Sequence, residues 1–405
     1  YGYTAFRPLQ EDIITSVLEG KDTLALLPTG GGKSVCFQVP ALAMEGLCIV
    51  VSPLIALMKD QVEQLQKRGI KAISISSGMH RREIDIALDN CVHGDVKFLY
   101  VSPERLKTDI FLARFRQMKV CLIAVDEAHC ISAWGYDFRP PYLQIALIRA
   151  LQPKIPVIAL TATATDEVKK DICERLEFKT GYQVFQQSFA RKNLSYSCLE
   201  TEDKPARLLQ ILKNVPGTAI VYVRSRNRTS VVAQWLQKQG LQAAHYHAGL
   251  SPEQRNTAQN NWIHNKTRII VATNAFGMGI DKPDVRAVVH LDLPANLEAY
   301  YQEAGRAGRD ERYSYAVLLY CKNDLEELQE RIEQEHPPIT ELKRVYQALA
   351  NSYQLAVGSG ELQAFPFSLE EFSAAYKFNP AEAHNALKKL ETEGLIQLNP
   401  AYHSP

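Results

Sequence analysis

The stretch that most limits what this chain can fold into is Leu26–Phe37, Leu-Leu-Pro-Thr-Gly-Gly-Gly-Lys-Ser-Val-Cys-Phe. An apolar run, Thr23–Leu27, leads into it and reads as a short buried strand. Three glycines, Gly30, Gly31 and Gly32, come next, then Lys33 and Ser34, then a segment able to continue as a helix. Strand, glycine loop, Lys-Ser and helix is a phosphate-cradling arrangement. Glycines let backbone N–H groups turn toward an anion with no Cβ in the way, and the helix N-terminus adds partial positive charge. Lys33 can reach terminal phosphates, and the Ser34 hydroxyl can ligate Mg²⁺. The commonest form of the loop has a glycine five positions before its last glycine, where this chain has Leu27. Taken alone, the stretch also fits a glycine-rich turn that happens to carry a lysine.

The rest of the chain sets the frame. Its 405 residues suggest roughly two to three domains. With 46% hydrophobic and 22% charged residues it reads as an ordinary globular chain. No apolar run approaches the ~18 residues that a membrane-spanning helix needs, so no membrane partner is expected. The chain opens Tyr-Gly-Tyr, with neither an initiator Met nor an apolar leader, which reads as a trimmed N-terminus. A net charge of +1 does not advertise nucleic acid, so any such site must come from local clusters. None of the eight cysteines forms a C-x-x-C pair, and several lie in apolar runs. They read as reduced core thiols of a cytosolic protein, without a disulfide or zinc framework.

Upstream of the loop lies Phe6-Arg7-Pro8-Leu9-Gln10. A glutamine amide can pair with the adenine N6/N7 edge, and Arg7 can hold or stack near the ring. The same residues also fit an amphipathic helix start with Pro8 in the first turn and a solvated Gln10. Downstream, strands at Leu47–Val51, Ser74–Ser77 and Phe98–Val101 alternate with helices such as Ile55–Arg68. Two of them end in Ser-Pro. This is the pattern of a parallel α/β sheet, whose functional loops lie at the carboxyl ends of the strands.

The strand Val120–Val125 ends in Asp126-Glu127-Ala128-His129. An acidic pair there suits metal-assisted hydrolysis: Asp126 holds the Mg²⁺ sphere and Glu127 activates water. The other reading is two carboxylates favoured by a helix dipole. With the phosphate loop upstream, the pair implies a nucleotide hydrolase. Next comes Trp134-Gly-Tyr-Asp-Phe138-Arg139, whose aromatics beside an arginine suit base stacking and phosphate contact. Trp134 equally fits a core position. Strand Val157–Leu160 runs into Thr161-Ala-Thr163, which can couple two domains by hydrogen bonds or cap a helix with Asp166 and Glu167 in its first turn.

A polar stretch around residues 188–204 marks a boundary, and a second α/β series follows. Its expected strands are Thr218–Val223, Ala243–His247, Arg268–Ala272 and Ala287–Leu291, with a helix at about Ser230–Gln239. It has no phosphate loop. It does carry Gln302-Glu-Ala-Gly-Arg306-Ala-Gly-Arg309, whose arginines would share one helix face at i, i+3 and act as fingers on a phosphate bound elsewhere. They also fit a solvated basic turn. His245 and His247 lack a third metal ligand in the sequence and read as structural. Two α/β units sharing one nucleotide site follow the logic of a motor. Beyond His336-Pro337-Pro338 the pattern is a helix at Ile339–Tyr353, then helix, Asn379-Pro380 turn, helix Ala381–Glu393 and a short strand Leu395–Leu398. That is either a helix-turn-helix with a partial wing or a plain helical accessory.

These motifs, in this order, make the chain from Phe6 to about Cys321 resemble the RecQ family of superfamily 2 DNA helicases. The resemblance rests on Phe6-Arg-Pro-Leu-Gln10, Pro28-Thr-Gly-Gly-Gly-Lys-Ser34, Asp126-Glu-Ala-His129, Trp134-Gly-Tyr-Asp-Phe-Arg139, Thr161-Ala-Thr163 and Gln302–Arg309. It implies ATP-dependent 3′→5′ unwinding of duplex DNA in recombination and repair, with translocation on single-stranded DNA by a monomeric cytoplasmic motor. The expected architecture is two RecA-like parallel-sheet lobes, 1–195 and 196–332, and a small, mainly helical region at 337–405, partly winged-helix-like. The ATP-binding set is Phe6, Arg7, Gln10, Thr29, Gly30, Gly31, Gly32, Lys33, Ser34 and Asp281, with Mg²⁺ on Ser34 and Asp126. Catalysis falls to Lys33, Asp126, Glu127, Arg306 and Arg309. DNA contact and coupling fall to His129, Trp134, Phe138, Arg139, Thr161, Thr163 and Gln302. The chain departs from the family in two places. Tyr136 stands where the family usually has histidine, and beyond Arg309 there is only Cys321 where the family carries a four-cysteine zinc module. No structural zinc is therefore expected. A translocating ATPase without unwinding, or a DNA-binding scaffold without turnover, are the alternatives, separable by ATPase assays with and without DNA.

Overall fold

The computed structural model describes the chain except residues 1–4, 29, 54, 76–78, 133–137, 189, 278–281, 336, 357–358, 361–362 and 400–405. The side chains at 56, 331, 334 and 335 are likewise outside the description. Thr29, Trp134 and Asp281 thus lie outside the described residues. The chain parts into two compact units, Tyr1–Leu319 and Tyr320–Pro405.

The larger unit holds two sheets. The first is built from α1 (Gln10–Leu18), β1 (Thr23–Leu26), α2 (Lys33–Ala43), β2 (Leu47–Val51), α3 (Ile55–Lys67), β3 (Ala72–Ile75) and α4 (Arg81–His93). It continues with β4 (Phe98–Val101), α5 (Asp109–Phe115), β5 (Val120–Val125), α6 (Gln144–Leu151), β6 (Val157–Thr161), α7 (Asp166–Arg175) and β7 (Gln183–Gln186). The strand order is β3-β4-β2-β5-β6-β1-β7, with parallel pairing. Helices cover both faces, so the central strands are apolar throughout. Successive residues nevertheless divide between two cores: Leu24 and Leu26 join one, Ala25 and Leu27 the other. Each fully buried leucine contributes about 1.5–3 kcal/mol.

The second sheet comprises β8 (Leu194–Glu200), α8 (Lys204–Asn214), β9 (Thr218–Tyr222), α9 (Arg226–Lys238), β10 (Ala243–Tyr246) and α10 (Pro252–Ile263). It ends with β11 (Ile269–Ala272), β12 (Val285–His290), α11 (Leu297–Ala304) and β13 (Ser314–Tyr320). Its order is β10-β11-β9-β12-β13-β8. Three strands stand where the sequence pattern shows none: β7, β8 and β13. β7 and β8 are edge strands with largely exposed residues, so neither carries an apolar run; β8 falls inside the polar stretch read as a boundary. β3 lies two residues earlier than expected, and β12 starts at Val285.

The smaller unit holds α12 (Lys322–Glu335), α13 (Ile339–Ser352), α14 (Leu369–Tyr376) and α15 (Pro380–Thr392). α12, expected in the second lobe, packs on α15. Val345, Phe372, Phe378, Ala386, Leu387 and Leu390 form its core. Lys377 at φ 58°, Phe378 and Asn379 make a three-residue turn, and the Asn379 side chain caps α15 by accepting from Ala381 N at 2.9 Å. The strand expected at Leu395–Leu398 does not form. Without a ladder partner, Leu398 N donates instead to Glu391 at 2.8 Å, while Ile396 and Leu398 pack on the core.

In the first sheet, register brings four strand ends together. Leu26 pairs with Thr161, Val125 with Ala159, and Val51 with Val125. The phosphate loop, Thr161–Thr163, Asp126-Glu127 and Ser52-Pro53 therefore share one rim, as expected for ligand sites of open parallel sheets.

Candidate nucleotide-hydrolysing site

The loop after β1 folds tightly. Gly31 N donates to Pro28 O at 2.9 Å, and Gly30 and Gly32 adopt φ 81° and 76°. A Cβ on Gly31 would come within 2.9 Å of Pro28 O. The loop thus requires glycine for both its left-handed angles and its close approach. Lys33 opens α2 immediately afterwards.

The upstream motif grips this loop. Gln10 is buried; its Nε2 donates to Gly31 O and Gly32 O at 3.2 Å each, and its Oε1 accepts from Arg7 N at 2.9 Å. Arg7 Nη1 donates to Gly30 O. The solvated-glutamine alternative is therefore overturned: the amide braces the phosphate loop. Phe6 is exposed.

Facing the loop, Ser52 Oγ donates to Asp126 Oδ2 at 3.5 Å, and Glu127 N donates to Asp126 Oδ1 at 3.0 Å. Burial, and then the neighbouring Glu127 charge, push the Asp126 carboxyl up to about 7, with Lys33 pulling the other way. Two carboxylates crowd here against one nearby ammonium. Together with the Ser34 hydroxyl this is a hard-oxygen set short of positive charge, which fits Mg²⁺. Glu127 sits at φ 48°, ψ 48°, a left-handed backbone that a non-glycine residue holds only when its surroundings enforce it. Its Oε2 is buried without a hydrogen-bond partner and lies 3.5 Å from His129 Nδ1.

His129 is buried, with Nδ1 2.9 Å from Thr161 Oγ1, and that hydroxyl reaches Thr163 O at 3.1 Å. The acidic motif and the threonine motif are thus one network. Thr165 separately caps α7, accepting from Val168 N at 3.4 Å, so the helix-cap reading of the threonine run holds, while the Thr161 bonds stay within the first lobe. Phe138 is 39% exposed, and Arg139 Nη1 donates to Pro53 O at 3.4 Å.

The two arginines part company. The turn Gly305–Asp310 follows the end of α11, so Arg306 and Arg309 do not share a helix face; a left-handed Gly308 at φ 62° breaks the periodicity. Arg309 crosses to the first sheet's loop, where a Cβ on Gly30 would lie 3.3 Å from Arg309 Cγ. Arg306, 5% exposed, stays within its own lobe and donates to Gly277 O. Gln302 lies on α11, half-buried.

Two residues escaped the sequence reading. Gln61 on α3 donates to Ser34 Oγ at 3.1 Å and accepts from Gln38 at 3.0 Å. Tyr142 donates to Asp126 O at 2.9 Å. Nothing in the pattern of α3 distinguishes Gln61 from a solvated helix residue. Six of the eight cysteines are buried, and burial pushes Cys36, behind the loop, up to about 12, as fits an inert core thiol.

Residues 7–171 match the DEAD/DEAH box helicase family and residues 203–311 the helicase conserved C-terminal domain. The ATP-dependent DNA helicase RecQ of Haemophilus influenzae is 44% identical over 331 residues, 81% of this chain and 53% of that protein. The probable ATP-dependent DNA helicase RecS of Bacillus subtilis is 40% identical over 379 residues, 90% of this chain and 76% of that one. The chain thus spans about half the length of the first of these relatives. In fold it is similar to Mss116p solved with ssRNA and AMP-PNP, at TM-score 0.66 and 18% identity, covering 97% of this chain and 90% of that chain.

Proposed function

The chain belongs to the RecQ family of superfamily 2 helicases, and we propose that it is the motor of an ATP-dependent DNA helicase that unwinds duplex DNA 3′→5′ while translocating on single strands. The observation that carries this reading is Arg309, from the second lobe, packed against Gly30 of the first lobe's phosphate loop. A nucleotide site completed from two lobes lets hydrolysis drive their relative motion.

In this reading the glycine loop and Lys33 hold the phosphates. Ser34 and Asp126 would hold Mg²⁺, which when bound neutralises phosphate charge. Glu127 orients and deprotonates the attacking water, and His129 with Thr161 keeps the acidic strand end in register with the threonine segment. Arg309 stabilises charge developing on the transferred phosphoryl group. Gln10 and Arg7 brace the loop from behind, where adenine contact would also fall to them. Phe138 and Arg139 offer a stacking face and a cation to single-stranded DNA. We assign lobe bounds of 1–193 and 194–319, the second beginning with β8, and 320–405 as the accessory unit, whose α14-turn-α15 pair suits a duplex-contacting role.

The test is ATP turnover with and without single-stranded DNA, beside strand displacement on 3′-tailed, 5′-tailed and forked DNA. DNA-stimulated turnover and displacement of 3′-tailed substrate are expected. Stimulation without displacement would reduce the protein to a translocase, and no turnover would leave a scaffold.

A further inference from the structure

The segment that carries the chain from β7 into β8 holds the arginine turn. Arg191 Nη1 donates to Gly305 O at 3.0 Å, and its Nη2 donates to Gly308 O. Asn193 Nδ2 donates to the same Gly308 O at 2.8 Å and to Arg312 O at 3.0 Å. Two side chains from the connection between the lobes thus converge on one carbonyl, and that carbonyl belongs to the peptide leading directly into Arg309. The approach is close: a Cβ on Gly308 would lie 2.7 Å from Asn193 Nδ2. Further along the same segment, Tyr196 stacks on Tyr301 of α11, with centroids 6.4 Å apart and planes at 11°. The turn is also tied to its own sheet, since Gly308 N donates to Val285 O at 2.8 Å, so loss of Arg191 or Asn193 would loosen it without releasing it.

A carbonyl held by two donors orients its peptide plane, and that plane determines where the next side chain starts. Arg309 must span from this plane to Gly30 in the other lobe. We propose that Arg191 and Asn193 are positioning residues that lock the Gly308–Arg309 peptide, so that the covalent connection between the lobes aims the arginine finger at the nucleotide. This rests on the reading of Arg309 as that finger. Among the described residues both side chains bond to carbonyls of the arginine turn, so both act through Arg309.

The test uses the full chain with saturating ATP, Mg²⁺ and a single-stranded oligonucleotide. Arg191→Ala and Asn193→Ala should each lower kcat roughly 10–100-fold, the scale on which a small misplacement of a reacting group is felt. Affinity for a fluorescent non-hydrolysable ATP analogue should stay within about 3-fold, the split that marks loss of a transition-state contact. Arg191→Lys, which keeps a cation able to meet one carbonyl, should recover part of the rate. Combining Arg191→Ala with Arg309→Ala should slow the enzyme no further than Arg309→Ala alone. If Arg191→Ala does not fold, Asn193→Asp, which faces a carboxylate to the two carbonyls, is read in its place. Wild-type kcat in the Arg191 and Asn193 variants beside an impaired Arg309→Ala overturns this inference alone, as does a parallel fall in analogue affinity. Wild-type turnover in Arg309→Ala removes the finger and this inference together.

Discussion

The two lobes share one architecture and differ in what their first strands deliver. In the first, β1 opens into three glycines, Lys33 and Ser34 at the start of α2. In the second, the first strand after the edge strand β8 is β9, third of six in its sheet where β1 is sixth of seven, and its end is Val223-Arg224-Ser225, with Ser225 capping α9 by accepting from Arg228 N at 3.2 Å. One strand end leaves a helix N-terminus open to an anion; the other closes it with a side chain. The second lobe contributes instead through the turn after α11, which sends Arg309 across and keeps Arg306 at home. Fold alone therefore does not decide which lobe holds the nucleotide. The few residues at the strand ends do.

Breaking the first lobe's half should cost most. Lys33→Ala is expected to abolish turnover, because a charge contact in a closed site is worth several kcal/mol, on the order of 3–4. Glu127→Gln should retain ATP binding and lose hydrolysis by roughly 10²–10⁴-fold, the usual worth of a general base. Steady-state kinetics beside nucleotide binding check both; normal hydrolysis in the Gln variant would remove Glu127 as the base.

The two arginines of the second lobe sharpen the contrast between reach and support. Arg306→Ala removes a charged hydrogen bond buried inside that lobe, so it should lower stability by about 1.5–3 kcal/mol in denaturant unfolding. An Arg306 variant with wild-type stability and slow turnover would mean that this residue, too, acts on the nucleotide.

A smaller effect is expected at Gln61, which donates to the Ser34 hydroxyl. Gln61→Ala should weaken Mg²⁺-dependent nucleotide binding by roughly 10-fold while metal-free nucleotide affinity holds, the pattern for a residue that orients a ligand. Titration of a fluorescent nucleotide with and without Mg²⁺ reads this directly. The smallest expected effect is none: chelation should leave the unfolding midpoint unchanged, and elemental analysis should find no stoichiometric zinc, since beyond Arg309 the sequence has one cysteine. One tightly held zinc would contradict this.

The legible parts of the chain were those in which chemistry and burial coincide. Val120–Val125 is apolar because it is covered on both faces, and its acidic end is visible for the same reason. The parallel lobes and the phosphate loop follow from such runs. β8 was hidden because an edge strand needs only one bonded side and can expose the rest, so Ser195 and Tyr196 look like linker. The helical spacing of Arg306 and Arg309 misled because one left-handed glycine resets the direction of the chain. Gln61 and Asn193 were hidden by a different cause: an amide that braces a distant hydroxyl or carbonyl leaves no pattern along the chain.

The claim that one nucleotide site is completed from both lobes is tested most directly at Arg309. With Arg309→Ala, turnover at saturating ATP and DNA should fall roughly 10³-fold or more, as for other arginine fingers, while affinity for a non-hydrolysable ATP analogue stays near wild type. An equal loss of binding and turnover would make Arg309 a ground-state phosphate ligand. Wild-type turnover would contradict a shared site altogether.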